Sequence, residues 1–214
     1  SDGQTFTGPT NNNEVVYTTY CSPAEKLCFD HRDTWKVERL TSPDTEPGAS
    51  VDNIRITSPD DAFSLTLTSG ISGLGGTCSE ESQKDVTVLA STPILALTGF
   101  EDEYNQDMAA VAHVVYQNET GAYISALYVT TTPEYAKAGT IKACGTGFSQ
   151  YVTGKHSVVS ADYDSAGAFR FGYTGSEFYG EKVVKYETVD EAKAAFETEN
   201  YKQAVALMAT LRYE

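Results

Sequence analysis

Apolar and polar residues alternate with a period of two through most of the first 130 positions, the spacing of strands that lay one face on a core. Phe63, Leu65 and Leu67 alternate with Ser64, Thr66 and Thr68, which predicts a half-buried strand. Trp35 and Val37 alternate with Lys36 and Glu38 in the same way. Val111, His113 and Val115 lie opposite Ala112, Val114 and Tyr116, and residues 122–130 read as the returning strand. The connection Asn118-Glu119-Thr120-Gly121 is hairpin chemistry, because Asn and Gly tolerate the positive φ of tight turns. Further strands are expected at 15–20, 51–56, 86–90, 168–173 and 182–186. Pro and Gly mark loops at 42–50, 69–83 and 174–180.

The period changes to that of a helix at the C-terminal end. Val189, Ala192 and Phe196 share one face, with Asp190 and Glu191 in the first turn, where the helix dipole favours them. Thr188 is the expected N-cap and Glu191 its capping-box partner. A second helix follows, with Tyr201, Ala204, Val205, Met208 and Leu211 as its apolar stripe and Thr198 or Asn200 as its cap. Residues 100–108 read as a short acidic helix. Strands first and helices last give an α+β domain: an antiparallel, mostly meandering sheet of at least five strands with the C-terminal helices packed on it.

The 214 residues support one such domain over residues 14–214. Residues 1–13, SDGQTFTGPTNNN, are too polar to offset their ordering entropy and read as a tether. A polar tether ahead of a folded domain fits a surface lipoprotein whose N-terminal anchor has been removed, which would be its one link to a membrane. Acidic residues number 30 against 15 basic ones, for a net charge of −15, and most of the excess lies in residues 1–107. Such a surface repels phosphate backbones, which argues against nucleic acid as a partner.

Four cysteines, Cys21, Cys28, Cys78 and Cys144, allow three pairings. Their spacing contains no CxxC, against both zinc and thioredoxin-type redox chemistry. Cys21 and Cys28 bracket a short hydrophilic run that starts with Ser-Pro, and Cys78 and Cys144 both adjoin Gly-rich turns. The expected pairs are therefore Cys21–Cys28 and Cys78–Cys144, in an oxidising, extracytoplasmic setting.

Templates for catalysis and cofactors match poorly. No GxSxG elbow occurs, and the Gly-rich stretch at 70–76 lacks the GK[ST] of a phosphate loop. His31, in Asp30-His31-Arg32-Asp33, reads as part of a solvated turn, and His113 as a strand residue. Asp162-Tyr-Asp164-Ser-Ala166-Gly167 starts like a calcium loop, but Ala166 and Tyr173 occupy ligand positions. Glu101, Asp102, Glu103 and Asp107 read as a solvated helix face. No cofactor or metal is expected. The candidate binding surface is aromatic: Tyr173, Phe178 and Tyr179, with Gly172, Gly175 and Gly180 turning the backbone so that the rings face solvent.

Cys28-Phe29-Asp30-His31 followed by Thr34-Trp35-Lys36-Val37 resembles the opening of PsbP-like and Mog1-like domains, which many bacterial secreted lipoproteins carry. The ending, from Thr188 through Phe196 to Leu211, resembles the closing helical segment of that family. The resemblance implies an antiparallel sheet flanked by helices and a role in binding or stabilising other proteins, without enzymatic activity. The expectation is a non-enzymatic extracytoplasmic binding or accessory domain with a protein or carbohydrate ligand. The competing expectation is a secreted hydrolase built on a carboxylate pair or on His31.

Overall fold

The computed structural model describes residues 14–23, 26–40, 52–71, 79–98, 109–143, 151–155, 158–159 and 165–214. In chain order the strands are β1 (Tyr17–Cys21), β2 (Leu27–Arg32), β3 (Lys36–Arg39), β4 (Asp52–Thr57), β5 (Ser64–Ile71), β6 (Lys84–Ile94), β7 (Ala109–Gln117), β8 (Tyr123–Thr130), β9 (Gly139–Ala143), β10 (Tyr151–Val152), β11 (Val158–Val159), β12 (Ser165–Ala166) and β13 (Ala168–Tyr173). Helices α1 (Val189–Ala194) and α2 (Glu199–Met208) precede the last strand, β14 (Arg212–Tyr213). The fold is α+β and its pairings are antiparallel. A nine-stranded sheet runs β3-β4-β5-β13-β8-β7-β6-β9, with β10 beside β13, and a three-stranded sheet runs β1-β2-β14. β11 and β12 pair separately. Among the described residues, no helix is long and apolar enough to cross a membrane.

One face of the large sheet carries the main core. Leu65 and Leu67 of β5, Phe169, Phe171 and Tyr173 of β13, and Leu127 and Val129 of β8 project together on it. The small sheet covers them with Leu27 and Phe29, and α2 with Tyr201, Ala204, Leu207 and Met208. Phe196 and Val205 pack partly buried against the same cluster, and Leu211 completes it. Each large side chain taken fully out of water contributes about 1.5–3 kcal/mol, so this layer dominates stability. Trp35 is buried in the turn before β3 and ties that turn to α2 by donating its indole N–H to Gln203 Oε1 (2.9 Å).

The strand order of the large sheet departs from a meander twice. β9 returns to pair with β6 at the far edge rather than with β8. β13, late in the chain, inserts between β5 and β8. That insertion also overturns the half-buried reading of β5: Ser64, Thr66, Thr68 and Ser69 are buried along with the leucines. A central strand is covered on both faces, and the polar alternation marks a second, polar interior. The segment 182–186 is not a strand. Only Tyr186 makes a bridge, to Tyr123, while the Val184 N–H donates to the Tyr173 hydroxyl (2.8 Å).

Local signals at the turns and caps hold more closely. In the β7–β8 hairpin, Asn118 Oδ1 accepts from the N–H groups of Thr120 and Ala122, and Gly121 adopts φ +86°. Thr188 caps α1 by accepting from the Glu191 N–H (3.2 Å). The Glu191 carboxylate reaches one residue further back than a capping box requires, to the Glu187 N–H. Thr198 stands at the N-cap of α2 but donates to the Ala195 carbonyl instead, and Asn200 turns its amide to Asp60. The expected helix at 100–108 lies outside the described residues.

Candidate functional site: a buried ion pair beneath an aromatic loop

The second face of the large sheet has two interiors. Toward β6 it is apolar, with Val86, Val88, Ala112, Val114, Ala126, Tyr128 and Tyr135 packed together. Toward β5 and β13 it is polar. Phe169, Phe171 and Tyr173 occupy the core face of β13, so alternation sends Arg170 to the other side, where it stands opposite Thr68 of β5 and reaches along to Thr66. There the Arg170 guanidinium meets the Glu181 carboxylate at 2.5 Å, and neither side chain retains any solvent-exposed area.

The hydrogen bonds around this pair knit a sheet to a loop. Arg170 donates to Thr66 Oγ1 (2.5 Å), Thr174 Oγ1 (2.6 Å) and Glu181 Oε1. The Thr66 hydroxyl in turn donates a hydrogen bond to Glu181 Oε1 (3.1 Å). The other carboxylate oxygen accepts from the backbone N–H groups of Thr174 (3.1 Å) and Ser176 (2.9 Å). The Tyr179 ring lies over the guanidinium, 3.9 Å from its carbon, a desolvated cation–π contact. Its hydroxyl meets that of Tyr151, and burial followed by that contact raises the Tyr179 pKa. Tyr116 donates to the Thr174 carbonyl (2.5 Å). The segment 174–181 is thus an irregular loop whose two ends are tied to one buried charge pair.

Backbone geometry completes the turn. Gly175 and Gly180 adopt φ +71° and +78°, the left-handed region in which a side chain is strained. Gly172 has a different task from the turning role expected of it. It lies within β13, where an added Cβ would sit 2.1 Å from the Leu127 carbonyl oxygen, so it permits the close approach of β13 to β8.

The three aromatic residues expected to share an exposed surface are separated by the fold. Tyr173 is 0% exposed and belongs to the core, because it falls on the same face of β13 as Phe171. Burial raises its pKa as well. Tyr179 is half-buried on Arg170. Phe178 lies in the short 3-10 turn Glu177–Tyr179 beside it, and its side chain is outside the described residues.

His31 is not in a solvated turn. It lies in β2, 8% exposed, with Nδ1 2.8 Å from the Arg32 carbonyl oxygen and its ring against Phe29. The turn begins only at Asp33. His113 is a strand residue as expected, stacked on Phe196 at 5.6 Å with Nε2 3.2 Å from Thr92 Oγ1, and burial lowers its pKa. Cys21 and Cys28 form a disulfide that joins facing residues of the β1–β2 hairpin. Cys78 and Cys144 lie outside the described residues, as do the acidic cluster at 101–107 and most of the calcium-like segment.

Clefts open on the surface among the described residues. One, of about 370 Å³, lies between the Asp60–Phe63 turn, Tyr186 and the start of α2. Another, of about 250 Å³, lies beside Pro93, Pro133 and Tyr135 over the apolar interior.

Arg170 and Glu181 carry the arrangement, and sequence reasoning passed over both. Arg170 had a visible signal: a cation amid the aromatic residues of AFRFGY, in a strand with both faces covered, requires a buried partner. Glu181 had none, being one of 30 acidic residues in an irregular segment. Comparison of the chain with protein-family models, curated proteins and solved structures finds no match.

Proposed function

We propose that this chain is a non-enzymatic, extracytoplasmic binding or accessory domain whose loop 174–180 is its recognition element. The observation that carries the reading is the buried Arg170–Glu181 pair. Removing two charges from water is costly unless their hydrogen bonds are well satisfied, and here those bonds brace a surface loop. A loop held in one shape loses little entropy when it binds, the gain of preorganisation. Tyr179, half-buried on that loop, and its neighbour Phe178 are the aromatic residues proposed to meet a protein segment or a carbohydrate. The charge pair itself has no solvent-exposed side-chain area from which to meet a substrate.

The compartment is part of the same reading. A disulfide between Cys21 and Cys28 fits an oxidising environment, and the proposal extends this to a second pair, Cys78–Cys144, and to a surface lipoprotein tethered through residues 1–13. The resemblance to PsbP-like and Mog1-like domains points to the same kind of accessory role.

A thermal-shift screen against oligosaccharides and unstructured peptides tests the reading. The expected result is a ligand that raises the melting temperature, is recovered chemically intact, and loses its effect when Phe178 and Tyr179 are both replaced by Ser. A ligand whose shift survives that replacement moves recognition elsewhere. Turnover of the ligand, or of chromogenic ester or glycoside substrates, would replace a binding role with hydrolysis.

A further inference from the structure

We propose that the outer edge of β1 is a pairing surface for a second copy of this chain. Along its inner side β1 bonds to β2 through even-numbered residues. The Asp33 N–H donates to the Val16 carbonyl (2.9 Å), and the Ser22 N–H donates to the Leu27 carbonyl (2.8 Å). Both lie on the register that sets Tyr17 opposite Arg32 and Cys21 opposite Cys28. Bonding residues alternate along an antiparallel ladder. Tyr17, Thr19 and Cys21 therefore turn their N–H and C=O groups outward, where no described strand lies.

The side chains at this edge are those of a strand that is to be covered. Val15, Val16 and Tyr17 are 44%, 53% and 58% exposed, three of the four large apolar side chains so exposed among the described residues. The other end strands of the nine- and three-stranded sheets carry charges that discourage pairing: Lys36, Glu38 and Arg39 on β3, Lys142 on β9, and Arg212 on β14. β1 carries none, and residues 15–24 form an uncharged run.

That neutrality, together with self-complementarity, selects the occupant. In a chain of net charge −15, an uncharged strand is where two copies meet with least repulsion. Antiparallel pairing about a two-fold axis through Thr18 matches outward-bonding residues with outward-bonding residues, Tyr17 with Thr19. It also sets Val16 opposite Tyr20, a favourable pairing of β-branched and aromatic side chains. The contact is isologous and closes as a dimer, consuming both free edges.

Sedimentation equilibrium of the full chain tests the proposal, from low concentration up to about 1 mM, the weak end of specific association. The wild-type mass should rise toward twice the monomer, and more readily at high salt, where repulsion between the acidic copies is screened. Tyr17→Pro removes an outward N–H without removing a β1–β2 bond, and Tyr17→Lys puts a charge on the edge. Both should remain monomeric while their melting temperatures, measured at low concentration, match that of the wild type. If Tyr17→Pro does not fold, Tyr17→Lys decides. A wild type that is monomeric throughout, a dimer that persists with Lys at this position, or open-ended larger assemblies would each overturn the proposal.

Discussion

Arg170 and Glu181 stand eleven residues apart in sequence and form an ion pair of 2.5 Å with no solvent-exposed side-chain area. Removing one partner strands the other charge in the interior, which costs about 3–5 kcal/mol. Arg170→Ala and Glu181→Ala should each lose about that much in urea unfolding. The double variant Arg170→Ala/Glu181→Ala should lose much less than the sum of the two, because no charge is left unpaired. A strictly additive result would show that the two side chains do not act as a unit.

Gly172 tests the close passage of β13 over β8. An added methyl group would meet the Leu127 carbonyl oxygen at 2.1 Å and the Tyr128 Cα at 2.6 Å, both backbone atoms that cannot swing aside. Gly172→Ala should destabilise by about 1–3 kcal/mol, the usual range for overpacking, as read from the denaturation midpoint. Gly139→Ala is the comparison: its φ of +145° imposes a backbone strain like that at Gly172, φ +159°, but nothing lies within 4 Å of its added Cβ. Equal losses at the two sites would remove the packing explanation.

The Cys21–Cys28 bridge closes a loop with a sequence separation of 7. In the chain-entropy model a loop that short stabilises by about 2.5 kcal/mol. A Cys21→Ser/Cys28→Ser variant should therefore melt lower but still fold, because β1 keeps its ladder to β2 and Phe29 keeps its place in the core. Loss of all cooperative unfolding in that variant would make the hairpin a far larger determinant of the fold than its burial implies.

His113 gives stability a dependence on pH. Burial holds its folded-state pKa below the ordinary value of 6.5, so the unfolded chain takes up the proton first as pH falls. Its contribution to stability is fully present above about pH 6.5 and is lost as pH falls through the depressed folded-state value. Unfolding free energy measured between pH 8 and pH 5 should decline on the acid side, and His113→Gln should flatten that decline. The acidic arm below pH 5 should persist in the variant, because Asp30, held low chiefly by its hydrogen bond from Arg212, titrates there.

Much of the fold is legible in the sequence because its causes are local. The alternation of Phe63, Leu65 and Leu67, the turn chemistry of Asn118 and Gly121, and the cap at Thr188 each act within a few residues, and each has its expected place. The insertion of β13 between β5 and β8 is not legible, because it rests on pairings far apart in sequence, Gly172 with Thr66 on one side and Gly172 with Tyr128 on the other. The same non-local contact buries Thr66 and Tyr173, and it brings Arg170 over β5. Sequence reasoning reached the loop at 174–180 through its glycines and aromatic residues, but assigned Tyr173 to solvent, because alternation gives the two faces of a strand without saying what covers each. His31 shows the same limit, since its charged neighbours imitate a turn while β2 carries it into the edge of the core.

The claim that a buried charge pair preforms the 174–180 loop is tested most directly by amide hydrogen exchange at Thr174 and Ser176, whose N–H groups end on the Glu181 carboxylate. Both amides should exchange far more slowly than solvent-exposed loop amides in the wild type. In Glu181→Ala they should lose that protection, while core amides of β7 and β8 remain slow. Fast exchange at Thr174 and Ser176 in the wild-type protein would contradict the account, because the loop would then not be held in the shape that recognition requires.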